Sequence, residues 1–165
     1  QEISLAEVLN DRNDAPARFS ATSRSYEYII GTKKDAFLHD RAYFLFKKLD
    51  VGKMNQAAQL LLGEQDFSSF SKSRTQTKHN FCNITAAEWH SVGDTHIFNI
   101  TANRFLRNMV RAIVGTLLEI GLGKMEIEGL HQIIQSKDRS EAGASVPAHG
   151  LYLTKVEYPK EIFLD

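Results

Sequence analysis

The sequence predicts an α+β domain with a mainly antiparallel β-sheet and helices packed on one of its faces. Residues 83–92 and 96–102 are predicted as two strands joined at Gly93 and Asp94, a dipeptide typical of a β-hairpin turn. Segments with helical periodicity are inserted between the strands, an arrangement typical of this class. The length of 165 residues suits one domain with its own core. The face of the sheet without helices would be open to a ligand.

The longest helical pattern covers residues 106–120. Its apolar side chains recur at the three- and four-residue spacing of a helix face that packs on a core, at Leu106, Met109, Val110, Ile113, Val114, Leu117 and Leu118. At 1.5 Å per residue such a helix is about 22 Å long, which is enough to cross a small sheet. We therefore expect it to be the central helix of the domain.

Three arginines lie at the start of this helix, with Arg104 just before it and Arg107 and Arg111 one turn apart on its polar face. One interpretation is a solvated helix face, which is the commoner setting of helical arginines. The other is a binding surface for phosphates or a carboxylate, because a guanidinium group offers a fixed set of donors. Basic side chains at a helix N-terminus oppose the helix dipole, and this cost favours a functional role.

The remaining elements follow from shorter patterns. Tyr26, Tyr28 and Ile30 share one face of a strand by period two, whereas Glu27 faces the other way. The two phenols either pack in the core, with their hydroxyls bonded to a partner, or face a cleft. Further elements are predicted as a short strand or helical turn at 42–46, helices at 51–62 and 126–135, a last strand at 151–158, and loops at 63–80 and 136–149.

Charge and composition exclude several classes of protein. Lys plus Arg and Asp plus Glu each total 20, so a nucleic-acid surface has to be a local patch. Cys82 is the only cysteine, which excludes an internal disulfide and favours a reducing, cytoplasmic setting. We interpret Cys82 as a small core or strand residue. The six histidines are scattered, so no metal site is predicted, and no apolar run is long enough for a membrane span.

Three segments carry a resemblance to a known family. They are ARFSATSRSYEYII at 17–30, NRFLRNMVRAIVGTLLEIG at 103–121 and PAHGLYLTKVEY at 147–158. In order and spacing they resemble the signature segments of the tRNA pseudouridine synthase A family, the tRNA pseudouridine(38-40) synthases. GEQDFSSF at 63–70 also resembles the family's Gly-x-His-Asp-Phe-x-x-Phe, with Gln65 in place of the histidine. The family favours arginine where this chain has Cys82 or Asn83.

The resemblance implies an isomerase that forms pseudouridine from uridine at positions 38, 39 and 40 in the anticodon stem-loop of tRNA, without metal or cofactor. The family's nucleophilic aspartate lies in an Arg-Thr-Asp-x-Gly-Val-His type motif, and the surroundings of Asp40, Asp66 and Asp138 do not match it. The first residue is Gln1 rather than Met. We therefore expect residues 1–165 to be the C-terminal catalytic domain, with the N-terminal domain absent, and we expect the chain alone to be inactive.

The resemblance also implies roles for three residues. Tyr26 corresponds to the family's active-site tyrosine, which can stack on the flipped uracil and hydrogen-bond or accept the C5 proton. Arg111 corresponds to the arginine that pairs with the catalytic carboxylate, and Leu151 to the apolar residue that packs on the target base. Because the carboxylate is missing, Arg111 is expected to take a substitute acceptor, such as a carboxylate or a backbone carbonyl, in a cleft near Tyr26 and Leu151.

The candidates for contacts with RNA phosphates are Arg24, Lys72, Arg74, Lys78, Arg104 and Arg107. The family is homodimeric, with one tRNA spanning both subunits, so the tRNA anticodon arm and a second subunit are the implied partners. Two alternatives remain open. One is a non-catalytic α+β RNA-binding module in which Tyr26 and Tyr28 form a stacking platform. The other is a dimerisation or small-ligand domain whose arginines are solvated.

Overall fold

The computed structural model describes residues 20–72 and 79–162. Within these ranges the chain forms six strands: β1 (Ser23–Gly31), β2 (Tyr43–Phe44), β3 (Gly63–Asp66), β4 (Phe81–Val92), β5 (Thr95–Ala102) and β6 (Leu151–Glu157). It also forms three α-helices: α1 (Val51–Gln59), α2 (Met109–Gly121) and α3 (Ile127–Ser136). Short 3-10 turns cover Ala36–Leu38, Ser68–Phe70, Ala148–Gly150 and Lys160–Ile162. Arg74 and Lys78 lie outside the described residues.

The six strands form one mixed sheet in which β1 pairs with β5, β5 with β4, and β4 with β3, all antiparallel. On its other side β1 pairs with β6 along Ser23–Tyr28 and then with β2 at Ile30 and Gly31. The β1–β2 pair is parallel and the others are antiparallel. The predicted α+β class with a mainly antiparallel sheet is therefore confirmed.

The face of the sheet that the helices cover is the apolar one. Its fully or nearly fully buried side chains include Tyr28, Ile30, Phe98, Ile100 and Trp89. These residues alternate along β1, β4 and β5 with less buried neighbours, as a half-covered sheet requires. Tyr26 has the same parity as Tyr28, so the tyrosines face the helices and belong to the packing side of the sheet.

Helix α2 is buried almost all round. Every residue from Met109 to Gly121 is buried except Arg111 and Glu119, and the predicted stripe from Leu106 to Leu118 lies in the core. A solvated face was one of the two interpretations left open for the arginines of this helix, and it does not hold for the helix as a whole, because residues 142–147 cross its outer face. Val146 N donates to Arg111 O at 3.2 Å, and Gly143 N donates to the Thr116 hydroxyl at 3.0 Å. We call residues 142–147 the crossing segment.

The start of α2 also differs from the prediction. Asn108 has φ 68° and stands before the first helical residue, so the helix begins at Met109 and not at Leu106. A left-handed residue cannot continue a helix, so Arg107 lies in the preceding turn. Arg107 and Arg111 therefore do not share a helix face. Of the two, only Arg111 lies inside α2, so only its positive charge opposes the helix dipole from the first turn.

Residues 63–80 were predicted as a loop, but they contain β3 and the turn Ser68–Phe70. Helix α1 ends at Gln59, ahead of the predicted Leu62. The Gln65 side chain on β3 donates to Leu60 O at 2.9 Å and Leu62 O at 3.0 Å. Gln65 thus satisfies carbonyl groups just beyond the end of α1, where helices leave carbonyls without internal partners.

Strand β3 covers only the first residues of β4, from Phe81 to Ile84. Farther along β4, the α1 side chain of Asn55 takes the place of a neighbouring strand. Its amide donates to Trp89 O at 2.9 Å and accepts from Trp89 N at 2.7 Å. Helix α1 therefore protects an edge that would otherwise expose unpaired backbone groups. Within the described residues, no helix is long and apolar enough to cross a membrane.

Candidate active site

The residues predicted to form the site gather at one end of the sheet. Strand pairing places Tyr26 opposite Leu153 and Tyr28 opposite Leu151. Directly paired side chains of antiparallel strands point to the same face, so Leu151 lies diagonal to Tyr26 at a typical separation of about 7 Å. Tyr26 and Leu151 are partly buried and pack against the core, whereas Leu153 is 55% exposed. This corner of the helix-covered face is therefore partly open.

Tyr26 is held by an aromatic contact. Its ring meets that of Phe105 edge-on, with centroids 5.2 Å apart and an interplanar angle of 88°. Phe105 belongs to the segment between β5 and α2, so the turn that starts the central helix also fixes the Tyr26 ring. An edge-to-face pair leaves part of the tyrosine ring available to another planar group.

Arg111, in the first turn of α2, contacts the crossing segment. Its Nε donates to the carbonyl oxygen of Val146 at 2.6 Å. Among the described residues Arg111 forms no ion pair with a carboxylate. A backbone carbonyl thus occupies Nε, and the two remaining guanidinium nitrogens still have donor capacity.

Tyr28, which sequence reasoning did not place in the site, bonds the next carbonyl of the same segment. Its hydroxyl donates to Pro147 O at 2.7 Å. Burial raises the pKa of Tyr28 above its ordinary value, Tyr43 raises it further, and the positive charge of Arg111 partly offsets both. Tyr28 is therefore a neutral donor at physiological pH, and its hydroxyl lies within the electrostatic range of Arg111. The Tyr-x-Tyr spacing in RSYEYII was the signal in the sequence, but it did not separate the two roles.

The crossing segment lies close to α2 because two glycines meet there. A Cβ on Gly115 would stand 1.8 Å from the carbonyl oxygen of Ala144. A Cβ on Gly143 would stand 2.9 Å from backbone atoms of Gly115 and Thr116. No side chain fits between the two backbones, so only this pair of glycines lets Val146 and Pro147 reach Arg111 and Tyr28. The sequence placed Gly115 in the predicted helix 106–120 and Gly143 in the predicted loop 136–149, and it did not indicate that they meet.

From Pro147 the chain makes the turn Ala148–Gly150 and enters β6 at Leu151. The same segment that accepts hydrogen bonds from Arg111 and Tyr28 therefore sets the position of Leu151. Arg111 is bonded to Val146, five residues before Leu151, and strand pairing places Leu151 diagonal to Tyr26. Tyr26 and Leu151 are thus neighbours across two strands, and Arg111 is linked to Leu151 through the chain from Val146 to Gly150.

The candidate phosphate contacts lie near the same end of the sheet, where β5 ends and β4 begins. Arg24 is paired with Ala102 at the end of β5, and its Nη1 donates to Asn103 O at 2.9 Å. Lys72 N donates to Arg107 O at 3.0 Å, so the two residues are neighbours. Arg104 Nη1 donates to His79 O at 3.3 Å. Arg24, Lys72, Arg104 and Arg107 are thus brought to one region.

The three aspartates compared with the family's nucleophile, Asp40, Asp66 and Asp138, have partners other than Arg111. Asp66 accepts from Ser68 and pairs with Lys137 at 3.3 Å. Asp138 accepts from Ser140 N at 2.8 Å, and Asp40 pairs with His39. Within the two described ranges no group of three or more His, Cys, Asp or Glu is placed to hold a metal ion. Cys82 is buried, as predicted, and burial raises the pKa of its thiol to about 11, so it is not a thiolate nucleophile at neutral pH.

A cavity of about 250 Å³ lies on the outer side of α2, between the crossing segment and β2. Its lining includes Tyr43, Lys47, Glu119 and Lys124. Tyr26, Arg111 and Leu151 are not among the lining residues. The lining does include Val146 and Pro147, so the cavity adjoins the segment that accepts hydrogen bonds from Arg111 and Tyr28.

Comparison with known proteins identifies the family. Residues 57–159, more than half of the chain, match the family model described as tRNA pseudouridine synthase. The tRNA pseudouridine synthase A of Parabacteroides distasonis is 49% identical over 163 residues, which cover 99% of this chain and 65% of that protein. The synthase of the same name from Porphyromonas gingivalis is 52% identical over 166 residues, covering 99% and 66% respectively.

A more distant relative, the tRNA pseudouridine synthase A of Francisella tularensis subsp. novicida, is 39% identical over 165 residues, covering 99% of this chain and 64% of that protein. The chain therefore spans just under two thirds of the length of these relatives. The mixed, mainly antiparallel sheet with helices on one face is consistent with the same family. Since the family model matches more than half of its residues, the chain belongs to the tRNA pseudouridine synthase family.

Proposed function

We propose that residues 1–165 are the C-terminal catalytic domain of an enzyme that converts uridine to pseudouridine at positions 38, 39 and 40 in the anticodon stem-loop of tRNA. The observation that carries the proposal is the position of Arg111. Its guanidinium group is bonded at Nε to Val146, in the segment that leads to Leu151, and Leu151 lies diagonal to Tyr26 in the sheet. This arrangement supports a site that needs a fixed positive charge, an aromatic ring and an apolar side chain around one base.

The reaction is an isomerisation without net addition or loss of atoms. The bond between N1 of uracil and C1′ of the ribose breaks, the base turns, and a new bond joins C5 to C1′. The proton on C5 leaves and N1 gains one. No cofactor is required for these steps, but a carboxylate nucleophile is, and we propose that it comes from an N-terminal domain that this chain lacks.

Each residue of the corner has a role in this proposal. Arg111 orients the incoming aspartate and keeps it ionised through its two remaining nitrogens. The Tyr26 ring stacks on the flipped uracil, and its hydroxyl bonds the base or accepts the C5 proton. Leu151 packs on the opposite part of the base. These are contacts to the substrate, whereas Tyr28 only positions the segment that carries Leu151.

We propose RNA binding on the basic residues at the same end of the sheet. Lys72, Arg104 and Arg107, with Arg24 beside β5, would contact phosphates and so position the RNA without reading its sequence. Arg74 and Lys78 are proposed for the same role from the sequence alone. We further propose that the full-length enzyme is a cytoplasmic homodimer in which one tRNA contacts both subunits.

A chimeric enzyme tests the catalytic proposal. The part of the Parabacteroides distasonis synthase that this chain does not cover would be joined to residues 1–165, incubated with unmodified tRNA, and analysed by pseudouridine mapping. We expect modification at positions 38–40 in the chimera and none with the chain alone. Product formed by the chain alone would contradict the domain assignment, because the chain would then hold its own nucleophile.

Matched variants of the chimera separate the roles. Tyr26→Phe keeps the ring and removes the hydroxyl, so it should retain RNA binding and lose turnover. Leu151→Ala should weaken turnover by removing the packing on the base, whereas Leu62→Ala, at an exposed leucine beyond α1, should not. An inactive chimera whose chain still binds tRNA would favour the alternative of a non-catalytic RNA-binding module.

The RNA surface is tested on the chain itself. Binding to tRNA should weaken steeply as salt rises, because each phosphate contact releases counterions. Lys72→Glu combined with Arg107→Glu should lower both the affinity and the salt slope, and Lys72→Glu combined with Arg74→Glu should do the same. Lys160→Glu, an exposed lysine after β6, is a matched control. If both double variants keep the affinity and the salt slope of the unaltered chain, these side chains are solvated and do not contact RNA.

A further inference from the structure

We propose that the rings of His79 and Phe81, with the guanidinium group of Arg104, form a second RNA contact that stacks on an unpaired nucleobase outside the uridine pocket. The proposal rests on the function proposed above, since it assumes an RNA substrate. The stacking site differs in kind from the proposed phosphate contacts, because those bind the RNA backbone whereas the stacking site binds a base.

Phe81, the first residue of β4, has a partly exposed ring next to the buried part of its strand. Its neighbours Cys82 and Ile84 are 1% exposed, whereas Phe81 is 46% exposed. Its backbone is fixed by pairing with Asp66 on β3. The exposed part of the ring gains little for the fold, because burial is what makes such a ring stabilising. A ring whose backbone is fixed in the sheet suits stacking, since the main chain has no further conformational entropy to lose when a base binds.

Two further groups extend this surface. The rings of His79 and Phe81 lie 6.1 Å apart at an angle of 54°. The Nη1 of Arg104 lies 3.4 Å from His79 Nδ1 and 3.3 Å from His79 O. The guanidinium group of Arg104 thus lies beside His79, which in turn contacts Phe81, and proteins combine arginine with aromatic rings in this way to bind bases of single-stranded RNA.

The charge around the rings is suitable for RNA. Lys72 and Arg107 are joined through a backbone hydrogen bond in the same region. Asp66 stands directly opposite Phe81 in the ladder, but its carboxylate is paired with Lys137 and accepts from Ser68. The negative charge nearest to Phe81 along the ladder is thus offset, and phosphates flanking a stacked base would meet arginine and lysine.

The site is distinct from the uridine pocket. Arg24 on β1, Ala102 on β5 and Ile84 on β4 share one row of the sheet. Phe81 lies three residues before Ile84, so it is about 10 Å along the strand and about 10 Å across the sheet from Arg24. Tyr26 lies on the other side of that row. One flipped base therefore cannot reach both sites, and the base on Phe81 belongs to another nucleotide.

The experiment compares two RNAs with the chain and its variants by fluorescence anisotropy. One RNA is an anticodon stem-loop and the other is a fully paired duplex of the same length and charge. Phe81→Ala should lower affinity for the stem-loop about 5- to 150-fold, as expected for one lost stacking contact. It should leave affinity for the duplex, and the salt slope for both RNAs, unchanged. Phe81→Tyr should bind as the unaltered chain does.

Controls keep the result interpretable. Phe81→Leu keeps apolar volume but has no ring, so it should bind as weakly as Phe81→Ala while keeping the melting temperature close to that of the unaltered chain. Phe37→Ala removes an 87% exposed ring beyond the far end of β1 and should change neither affinity. Arg104→Ala should lower both the affinity and the salt slope, since it removes a charge as well as a planar group.

Three outcomes would overturn the proposal. The first is unchanged stem-loop binding in Phe81→Ala and Phe81→Leu, and the second is duplex binding weakened by the same factor as stem-loop binding. A third is that these variants convert a dimer to a monomer in sedimentation and leave RNA affinity intact, which would assign the ring to a protein interface. The stacking site can fail in these ways while the chimera still forms pseudouridine, so the two proposals are tested separately.

Discussion

The Nε of Arg111 donates a 2.6 Å hydrogen bond to the carbonyl oxygen of Val146, and Val146 N donates back to Arg111 O at 3.2 Å. The two residues are thus bonded in both directions, between the first turn of α2 and the crossing segment. Because β6 follows the crossing segment after one short turn, this contact relates the charge of the proposed site to its apolar wall at Leu151. Stability and activity should therefore change together at Arg111.

Replacing Arg111 by alanine should lower the free energy of unfolding of the chain by about 1.5–3 kcal/mol, the usual net value of a hydrogen bond to a charged group. Arg111→Lys retains the charge, but a lysine cannot bond Val146 O and at the same time offer two further nitrogens in a fixed plane to the aspartate. The chimera with this change should therefore lose most of its activity. Urea denaturation and pseudouridine mapping measure the two effects. Arg107→Ala, at an exposed arginine in the preceding turn, should change stability by less than about 0.5 kcal/mol.

Tyr28 and Arg111 should be energetically coupled. Their hydrogen bonds end on consecutive carbonyls, Pro147 O and Val146 O. Tyr28→Phe removes only the hydroxyl and should cost about 1 kcal/mol. Once either bond is lost the segment is less constrained, so the other bond contributes less. We expect the variant that combines Tyr28→Phe with Arg111→Ala to lose less free energy of unfolding than the sum of the two single losses, by at least about 0.5 kcal/mol. Strict additivity in urea denaturation would show that the two bonds act independently.

The contact between Gly115 and the crossing segment should tolerate no side chain. Gly115→Ala would put a Cβ 1.8 Å from Ala144 O, so the segment has to move away from α2. We expect a loss of about 1–3 kcal/mol and a lower melting temperature. Gly52→Ala in α1 is the matched control, because its added Cβ would approach only Asp50 Oδ1, at 3.3 Å. Equal melting temperatures for the Gly115→Ala variant and the unaltered chain would contradict the observed packing.

Much of this architecture was predictable from sequence because it rests on local periodicity. The stripe of α2 and the β4–β5 hairpin have regular patterns, and both were placed within a few residues of their observed bounds. The turn at Gly93 has φ 56°, as its dipeptide indicated. Burial on one face produces a regular spacing of apolar residues, and this spacing is visible in the sequence itself.

The errors share a different physical cause. Strand β3 has the sequence GEQD and forms by pairing with β4, so tertiary contact overrides its low strand propensity. Asn108 adopts a left-handed conformation inside an otherwise helical pattern and moves Arg107 out of α2. The crossing segment has no periodicity at all. Its position depends on two glycines that are 28 residues apart in the sequence, at 115 and 143.

The Asn55 side chain should be essential at the edge of β4. Asn55→Leu leaves both Trp89 N and Trp89 O without their partner on α1, whereas Asn55→Asp keeps the acceptor and loses the donor. We expect costs of about 2–3 kcal/mol for leucine and a smaller cost for aspartate. Gln56→Leu, at an exposed neighbour in α1, is the control. Trp89 is the only tryptophan, so its fluorescence reports unfolding directly.

Exposure of the β4 edge in the Asn55→Leu variant should also promote self-association, since unpaired strand edges bind other strands. Light scattering at rising protein concentration measures this. Asn55→Leu that remains monomeric and as stable as the Gln56→Leu control would show that α1 does not protect the edge.

Cys82 should make stability depend on pH in the alkaline range. Burial raises the pKa of its thiol from 9.0 to about 11, and the nearby charge of Arg104 only partly offsets this. Between these two values the unfolded chain has lost the proton and the native chain still holds it. The native state then binds more protons, so the free energy of unfolding falls as pH rises from about 9 to about 11. Below about pH 9 this contribution is complete and constant.

The variant Cys82→Ala isolates that contribution. Below about pH 9 its stability should be lower because a buried sulfur is lost, and between about pH 9 and 11 it should fall less steeply than that of the unaltered chain. The ionisation of Tyr28, whose pKa burial also raises, is common to both proteins and cancels in the comparison. Urea denaturation across this range measures the two slopes. Parallel slopes would mean that the Cys82 thiol titrates alike in the folded and unfolded chains, contrary to its burial on β4.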